Sequence, residues 1–299
     1  MKKILLTALL IATASLSQAQ DDESKEQKQG WTKGGTFQLL FNQSAFNAEW
    51  TGGGTSSIAG NAAINYDFNY LQGRTTWDNK LIAEYGITKQ DGDEFIRKTN
   101  DRLEFNSVYG YKVSENSRWS YSFFFNGLTQ FTKGYTFSED PTTGETIRTE
   151  RTHILSPGYF QAGPGMLYKR NENFSVNIAP ATARLIVVDD QFTTTPGYED
   201  GDYFGVDAGA SNRFEFGASV NALYKFEITE NVTMDNVLLL YSNYLDKPGN
   251  VDINYSAAVN MKVNEWLSAN LIFQAIYDDN AVGAFQIREV FGLGLNYKL

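Results

Sequence analysis

The sequence predicts an all-β fold, an antiparallel transmembrane β-barrel of about twelve strands with short periplasmic turns and longer extracellular loops. Three observations predict it. Segment after segment alternates apolar with polar or small residues, as strands with one greasy face do. The connections between them alternate between short and long. The chain also opens with an export signal and holds no later apolar run long enough to cross a bilayer as a helix.

Met1 to Ala19 has Lys2 and Lys3, an apolar run from Ile4 to Leu16, and then Ser17-Gln18-Ala19. This basic, apolar, small-residue order predicts a cleaved signal peptide over residues 1–19. No cysteine follows, so neither lipidation, a disulfide nor a thiolate metal site is expected. Residues 20–33 read as a polar periplasmic leader and 34–299 as the barrel. The net charge of -10 argues against a nucleic-acid partner, because phosphate binding needs clustered Lys and Arg.

A first strand is expected from about Thr36 to Ser44, with a sharp reversal at Gly52-Gly53-Gly54. The second, about Ser56 to Leu71, sets Ile58, Ile64, Tyr66, Phe68 and Tyr70 against Asn61, Asn65, Asp67 and Asn69. After the tight turn Gln72-Gly73-Arg74, the third, about Thr75 to Thr88, sets Trp77, Leu81 and Tyr85 against Asp78, Lys80 and Glu84. The fourth, about Asp101 to Val113, opposes Leu103, Phe105 and Tyr109 to Arg102 and Glu104. The fifth, about Arg118 to Lys133, carries Trp119, Tyr121, Phe123 and Phe125 outward, and a long polar excursion runs from it to about Leu155.

The sixth, about Gly158 to Lys169, holds Pro164 between Gly163 and Gly165, so a kink or bulge is expected there. The seventh, about Phe174 to Val188, loses its parity after Pro180, which leaves Arg184 inside or outside. Asp189 to Asn212 is the longest loop. The eighth strand opposes Phe214, Phe216, Val220 and Tyr224 to Arg213, Glu215 and Lys225, and the ninth runs from about Val232 to Tyr244. The tenth opposes Ile253 and Tyr255 to Asp252 and Lys262, the eleventh carries Leu267, Leu271 and Phe273 outward, and the twelfth, from Phe285, alternates strictly to Leu299.

The expected lumen-facing charges are Asp67, Asp78, Lys80, Glu84, Arg102, Glu104, Arg213, Glu215, Lys225, Asp252, Lys262 and Arg288, with Asp235 beside them. Near balance of sign argues against a strongly ion-selective ring and for bridges across a narrow interior. Tyr70, Trp77, Trp119, Tyr168, Phe174, Tyr224 and Tyr297 form an expected aromatic girdle beside the short turns, where amphipathic rings sit at a membrane interface. Phe131, Phe160, Phe214, Tyr255, Tyr277 and Phe285 form a second one beside the longer loops.

The motifs Trp31-x-x-Gly34-Gly35, Phe41-Asn42-Gln43-Ser44, Trp50-x-Gly52-Gly53, Lys98-x-x-Asp101, Ser156-Pro157 and Tyr277-Asp278-Asp279 resemble those of a Bacteroidota family of outer-membrane β-barrel proteins labelled domain of unknown function. The resemblance implies an exported Gram-negative barrel and supplies no activity.

No enzyme is expected. The single histidine, His153, lies in a polar loop as Arg151-Thr152-His153-Ile154 and reads as solvated, with neither a second histidine nor a cysteine to build a nucleophilic site. The acids Glu199, Asp200, Asp202, Asp207, Asp278 and Asp279 offer oxygen ligands for calcium, but their spacing fits no complete EF-hand loop. They read as a hydrated surface, so no metal and no cofactor is expected. The expected function is a porin-like pore for small polar solutes or a structural envelope protein of the outer membrane. The alternative is a non-conducting accessory subunit that docks a larger complex or surface ligand through its outer loops. Expected partners are outer-membrane lipid, the barrel assembly machinery during insertion, and a protein at the outer loops, with the chain itself a monomer.

Overall fold

The computed structural model describes residues 29–47, 49, 54–278, 280 and 283–299. The expected signal segment, most of the leader, Trp50, the pair Gly52-Gly53 and Asp279 lie outside the described residues. Among the described residues the strands are β1 Gly30–Ser44, β2 Ser57–Gln72, β3 Thr75–Gln90, β4 Arg97–Lys112, β5 Trp119–Thr129, β6 Gly134–Glu139, β7 Thr146–Thr152, β8 Gly158–Asn171, β9 Phe174–Val187, β10 Asn212–Thr229, β11 Val232–Asn243, β12 Val251–Lys262, β13 Leu267–Tyr277 and β14 Gln286–Lys298. Twelve of them close into one barrel in the order β1-β14-β13-β12-β11-β10-β9-β8-β5-β4-β3-β2, and β6 pairs only with β7. The fold class is the one the sequence predicts, a closed antiparallel barrel of twelve strands.

Three features depart from the expected outline. First, β1 begins at Gly30, ahead of the boundary expected at residue 34. Trp31 holds this extension, because its ring lies 5.2 Å from Tyr70 and 5.8 Å from Trp77. Second, the polar excursion after β5 is the hairpin β6–β7. Its base is tied to β4 by Asp101, whose carboxylate accepts the backbone N–H groups of Phe131 and Thr132 and pairs with Lys98 at 2.7 Å. Third, the closing seam is short: β1 meets β14 over six residue pairs, from Thr36↔Lys298 to Phe41↔Leu293, although β1 meets β2 along its whole length.

The bulge expected at Pro164 lies across from it on β9, which carries one residue more there than β8 or β10. The β8–β9 register slips between Ala162 and Met166, and the β9–β10 register slips between Gly217 and Ser219. Proline offers no N–H to the ladder. A side chain at Gly163 or Gly165 would run into the backbone of Ala181 or Ile178, so the two strands approach there as only glycine permits. Thr182 fastens the bulge, its hydroxyl donating to the Ala179 carbonyl at 3.0 Å and lying 3.0 Å from the Ser219 hydroxyl. Asn177 and Ala179 are buried before the bulge and Thr182, Arg184 and Ile186 after it, so two residues are spent on the outer side and the inward parity is reset. This puts Arg184, unassigned by the sequence pattern, inside the barrel.

The outer wall is apolar. Phe123 is 53% exposed and Leu293 58%, and Tyr121, Ile178, Phe216, Phe291 and Leu295 are exposed likewise. The interior is the reverse: Asn79, Glu104, Ser122, Asn177, Arg184, Glu215, Ser268 and Asn270 are buried, with Phe124, Leu40 and Leu167 among the few large apolar side chains there.

Candidate functional site

The buried polar groups inside the barrel are the candidate site, and they divide by height. At the loop end, Arg184 of β9 is 7% exposed and Glu215 of β10 is 1% exposed. The Arg184 guanidinium lies 2.5 Å from Asp252 of β12, 3.5 Å from Glu215 and 3.5 Å from Asp278 beyond β13. Its faces are covered by the rings of Tyr241 at 4.9 Å and Tyr159 at 5.3 Å. Arg213 pairs with Glu215 at 2.9 Å and with Asp246 at 3.2 Å, and it donates to the Gly205 carbonyl at 2.8 Å. Glu215 therefore sits between two arginines, and the cage joins β9, β10, β12 and three loops. Its hydrogen-bonding capacity is not spent, because Glu215 Oε2, Arg184 Nε and the Tyr241 hydroxyl have no hydrogen-bond partner.

Above this cage the segment after β9 folds back on itself. Ile186, Val188, Tyr203 and Val206 form a buried cluster, with Tyr159, Phe192 and Phe204 packed against it. Tyr203 donates to the Arg151 carbonyl at 2.6 Å, and Tyr198 donates to the Val206 carbonyl at 2.6 Å. Burial pushes the Tyr203 phenol above the ordinary tyrosine range, so it stays a neutral donor. The loop the sequence reads as a hydrated acidic surface is thus a packed cap with an apolar core. Its acids serve the cap: Asp200 accepts the Ala208 N–H at 2.8 Å and Asp202 the Glu199 N–H at 2.9 Å.

His153 is not the solvated loop histidine expected. Its ring nitrogens lie 2.9 Å from Glu150 and 3.3 Å from Asp189, and its ring packs 5.4 Å from Phe192, so it clips the β6–β7 hairpin to the cap. A polar loop sequence gives no sign of a neighbour from another loop, which is why the pattern around His153 misleads. Ser156 lies close by in sequence, but it is fully buried and accepts the Asp189 N–H, so it is a structural hydroxyl.

A second charged group stands across the lumen. Arg102 pairs with Glu104 on the same strand, and Glu104 also accepts the Asn106 and Asn126 amides at 2.8 and 2.9 Å. Glu84 accepts the Asn100 amide at 2.8 Å. Arg288 is half-buried near the loop end of β14. Toward the short turns the charges pair locally and in contact with solvent: Asp67 with Lys80 at 3.3 Å, Asp78 with Lys169 at 2.7 Å, and Lys225 with Asp235 at 3.6 Å. Lys262 is exposed at the end of β12. The buried groups at this end are amides and hydroxyls. Gln38 donates to Asn270 and Asn296, Asn260 donates to Asn270, and Asn270 donates to Ser268.

On the outside, the expected girdle residues stack in two runs. Tyr70 and Trp77 share Trp31 between them. Trp119, Tyr168, Phe174 and Tyr224 follow one another at 5.0, 6.3 and 5.9 Å. Tyr297 is exposed on β14. At the loop end Tyr277 packs 5.3 Å from Phe285, and Phe131 and Phe214 are exposed.

The class defined by these features is a closed antiparallel barrel with an apolar wall, a polar and ionic lumen, and a folded loop over its mouth. The profile of a family described as Protein of unknown function (DUF3078) matches residues 41–135, about a third of the chain. No curated protein matches in sequence. An outer membrane channel of Pseudomonas putida F1 is 12% identical with a TM-score of 0.38, covering 94% of this chain and 99% of that one. The translocator domain of the autotransporter NalP from Neisseria meningitidis is 7% identical with a TM-score of 0.41, covering 99% of this chain and 95% of that one. Likenesses this distant say nothing of what this chain carries; its closed barrel stands on its own strand pairing.

Proposed function

We propose that the chain is an outer-membrane barrel and that it acts as a narrow pore for small polar solutes, constricted at its outer end. One observation carries the reading: a wall of exposed apolar side chains, bounded by aromatic rings, encloses an interior lined with polar and ionic groups. Soluble proteins rarely expose contiguous apolar area beyond a few hundred Å², whereas a lipid-facing wall must be apolar over its full height. The signal segment and the two rings favour the outer membrane as the site of insertion.

The constriction is the Arg184 cage under its cap. Charges fixed at a narrowing set which ions pass.

Planar-bilayer recording of the purified barrel tests this. Steady single-channel steps are expected. Arg184→Gln removes one positive charge from the cage and moves the reversal potential toward cation selectivity, and Arg102→Glu moves it the same way from across the lumen. A barrel that inserts but stays silent, and copurifies with a defined partner, would sink the pore reading in favour of an accessory subunit.

A further inference from the structure

The hairpin β6–β7 leans over the outer wall at β3 and β4, and between them lies a cavity of about 340 Å³ that the lumen does not use. Its floor is apolar and faces outward, with Tyr85, Ile87 and Ile96 all exposed. Its upper rim is cationic, with Lys98, Lys133, Arg148 and Arg151. Two of the four are neutralised locally, Lys98 by Asp101 at 2.7 Å and Lys133 by Glu150 at 2.6 Å. Among the described residues Arg148 and Arg151 have no carboxylate within ion-pair reach. Arg148 is held flat between two rings, 5.0 Å from Phe95 and 4.8 Å from Tyr135. Stacking by its faces leaves the N–H edge of a guanidinium free and pre-aimed, which is how arginine meets a phosphate. Two unpaired arginines are also out of keeping with a chain of net charge -10.

Height completes the picture. Phe131, two residues before Lys133, belongs to the aromatic set at the loop end, so the arginines stand just above the level where rings mark a membrane interface. An apolar floor below and free guanidinium edges above match an amphiphile, acyl chains down and anionic group up. We propose that this cavity binds the phosphate-bearing headgroup of a lipid in the outer leaflet, with Arg148 and Arg151 on the phosphate and the acyl chains along Tyr85, Ile87 and Ile96. The inference rests on the membrane reading above.

The test titrates the purified full chain in neutral detergent with dioleoyl phosphatidic acid or dioleoyl phosphatidylcholine, bound lipid being counted by native mass spectrometry. Phosphatidic acid is expected to bind at least about tenfold more tightly than phosphatidylcholine, and Arg148→Gln/Arg151→Gln to lose about that factor, as the loss of charge-assisted bonds predicts. Arg148 also packs on two rings, so R151Q alone and the charge-keeping pair R148K/R151K are measured beside it. R151Q weakens binding, and the lysine pair keeps most of it. Heat-modifiable migration shows each variant folded. Equal binding by wild type and R148Q/R151Q overturns the proposal. So does competition by inorganic phosphate at the strength of the lipid, which would make the site one for a free anion. Insertion of the wild type into phosphatidylcholine vesicles is read separately. Failure there removes the membrane reading itself, whereas insertion with unaltered lipid binding in R148Q/R151Q removes only the headgroup site.

Discussion

The two ends of the lumen solve the same problem, polar groups inside a narrow barrel, in different ways. At the loop end the ions are buried and shared: one arginine serves Glu215, Asp252 and Asp278, and a second bridges Glu215 to Asp246. At the turn end ions pair one to one, and Lys225 and Asp235 keep 37% and 47% of their side-chain surface exposed. The buried groups there are neutral amides such as Asn270. Taking a charge out of water is costly unless partners replace the water, and breaking such a set leaves the rest stranded. Exposed pairs can be broken cheaply, since water takes over. The loop end is therefore the fixed part of the lumen and the turn end its compliant part.

Closure comes before either end, so the largest effect is expected at the seam. The backbone of Leu299 exchanges hydrogen bonds with Gly35 at 2.9 and 3.4 Å, and Asn296 accepts from Gln38. Deleting Asn296 to Leu299 takes half of a six-pair seam, and no heat-modifiable folded band should form. Normal migration of that truncation would mean that the seam does not hold the ring.

The next effect separates the two ends directly. Arg184→Ala strands buried acids and should cost about 3–5 kcal/mol in a urea titration of the inserted barrel. Lys225→Ala should cost less than about 1 kcal/mol. Equal losses would erase the distinction between the ends. Asn270→Ala lies between them: it leaves Asn260 without this acceptor, takes one of the two acceptors of Gln38, and should cost about 1–3 kcal/mol. Because no charge changes, its reversal potential should match the wild type, and a shifted one would give the amide end a part in selection.

The smallest effect concerns the hairpin outside the barrel. The hydrogen bond from Lys133, then that from His153, holds the Glu150 carboxyl below its usual value of 4.5. A carboxylate lowered in the folded state stabilises above its unfolded value, and the contribution is lost as pH falls through the folded value. Lys133 is raised above 10.5, chiefly by the same bond, so its share is present below that pH and lost as pH rises through the raised value. The anisotropy of a dye on Thr143→Cys should stay level between pH 4.5 and 10.5 and fall below and above that window. A transition inside this window would mean that the Glu150–Lys133 pair does not hold the hairpin.

Much of this architecture is written in alternation. The strict apolar rhythm of Phe291, Leu293, Leu295 and Tyr297 predicts the closing strand, and the rings from Trp119 to Tyr224 fall on one face because every strand repeats with a period of two residues. The site is less legible where that period breaks. Pro180 warns that the parity of β9 fails and Pro164 marks the strand beside it, but neither says how many residues are spent there, so the side taken by Arg184 is undetermined until the strands are paired. The loops are opaque for a related reason. The polarity of residues 133–155 and 189–212 reads as solvation, whereas Phe192, Tyr203 and Val206 are spaced for contacts with other segments.

What the sequence determines alone is therefore the wall: the number of barrel strands, the face of each side chain wherever the alternation is unbroken, and the order of short and long connections, all consequences of a two-residue period and of turn residues. Tertiary structure decides what fills the wall. The reset that turns Arg184 inward, the cap folded over it, the clip at His153 and the cavity under the hairpin arise from contacts between segments far apart in the chain. Burial and charge pairing, which no local pattern encodes, choose among those contacts.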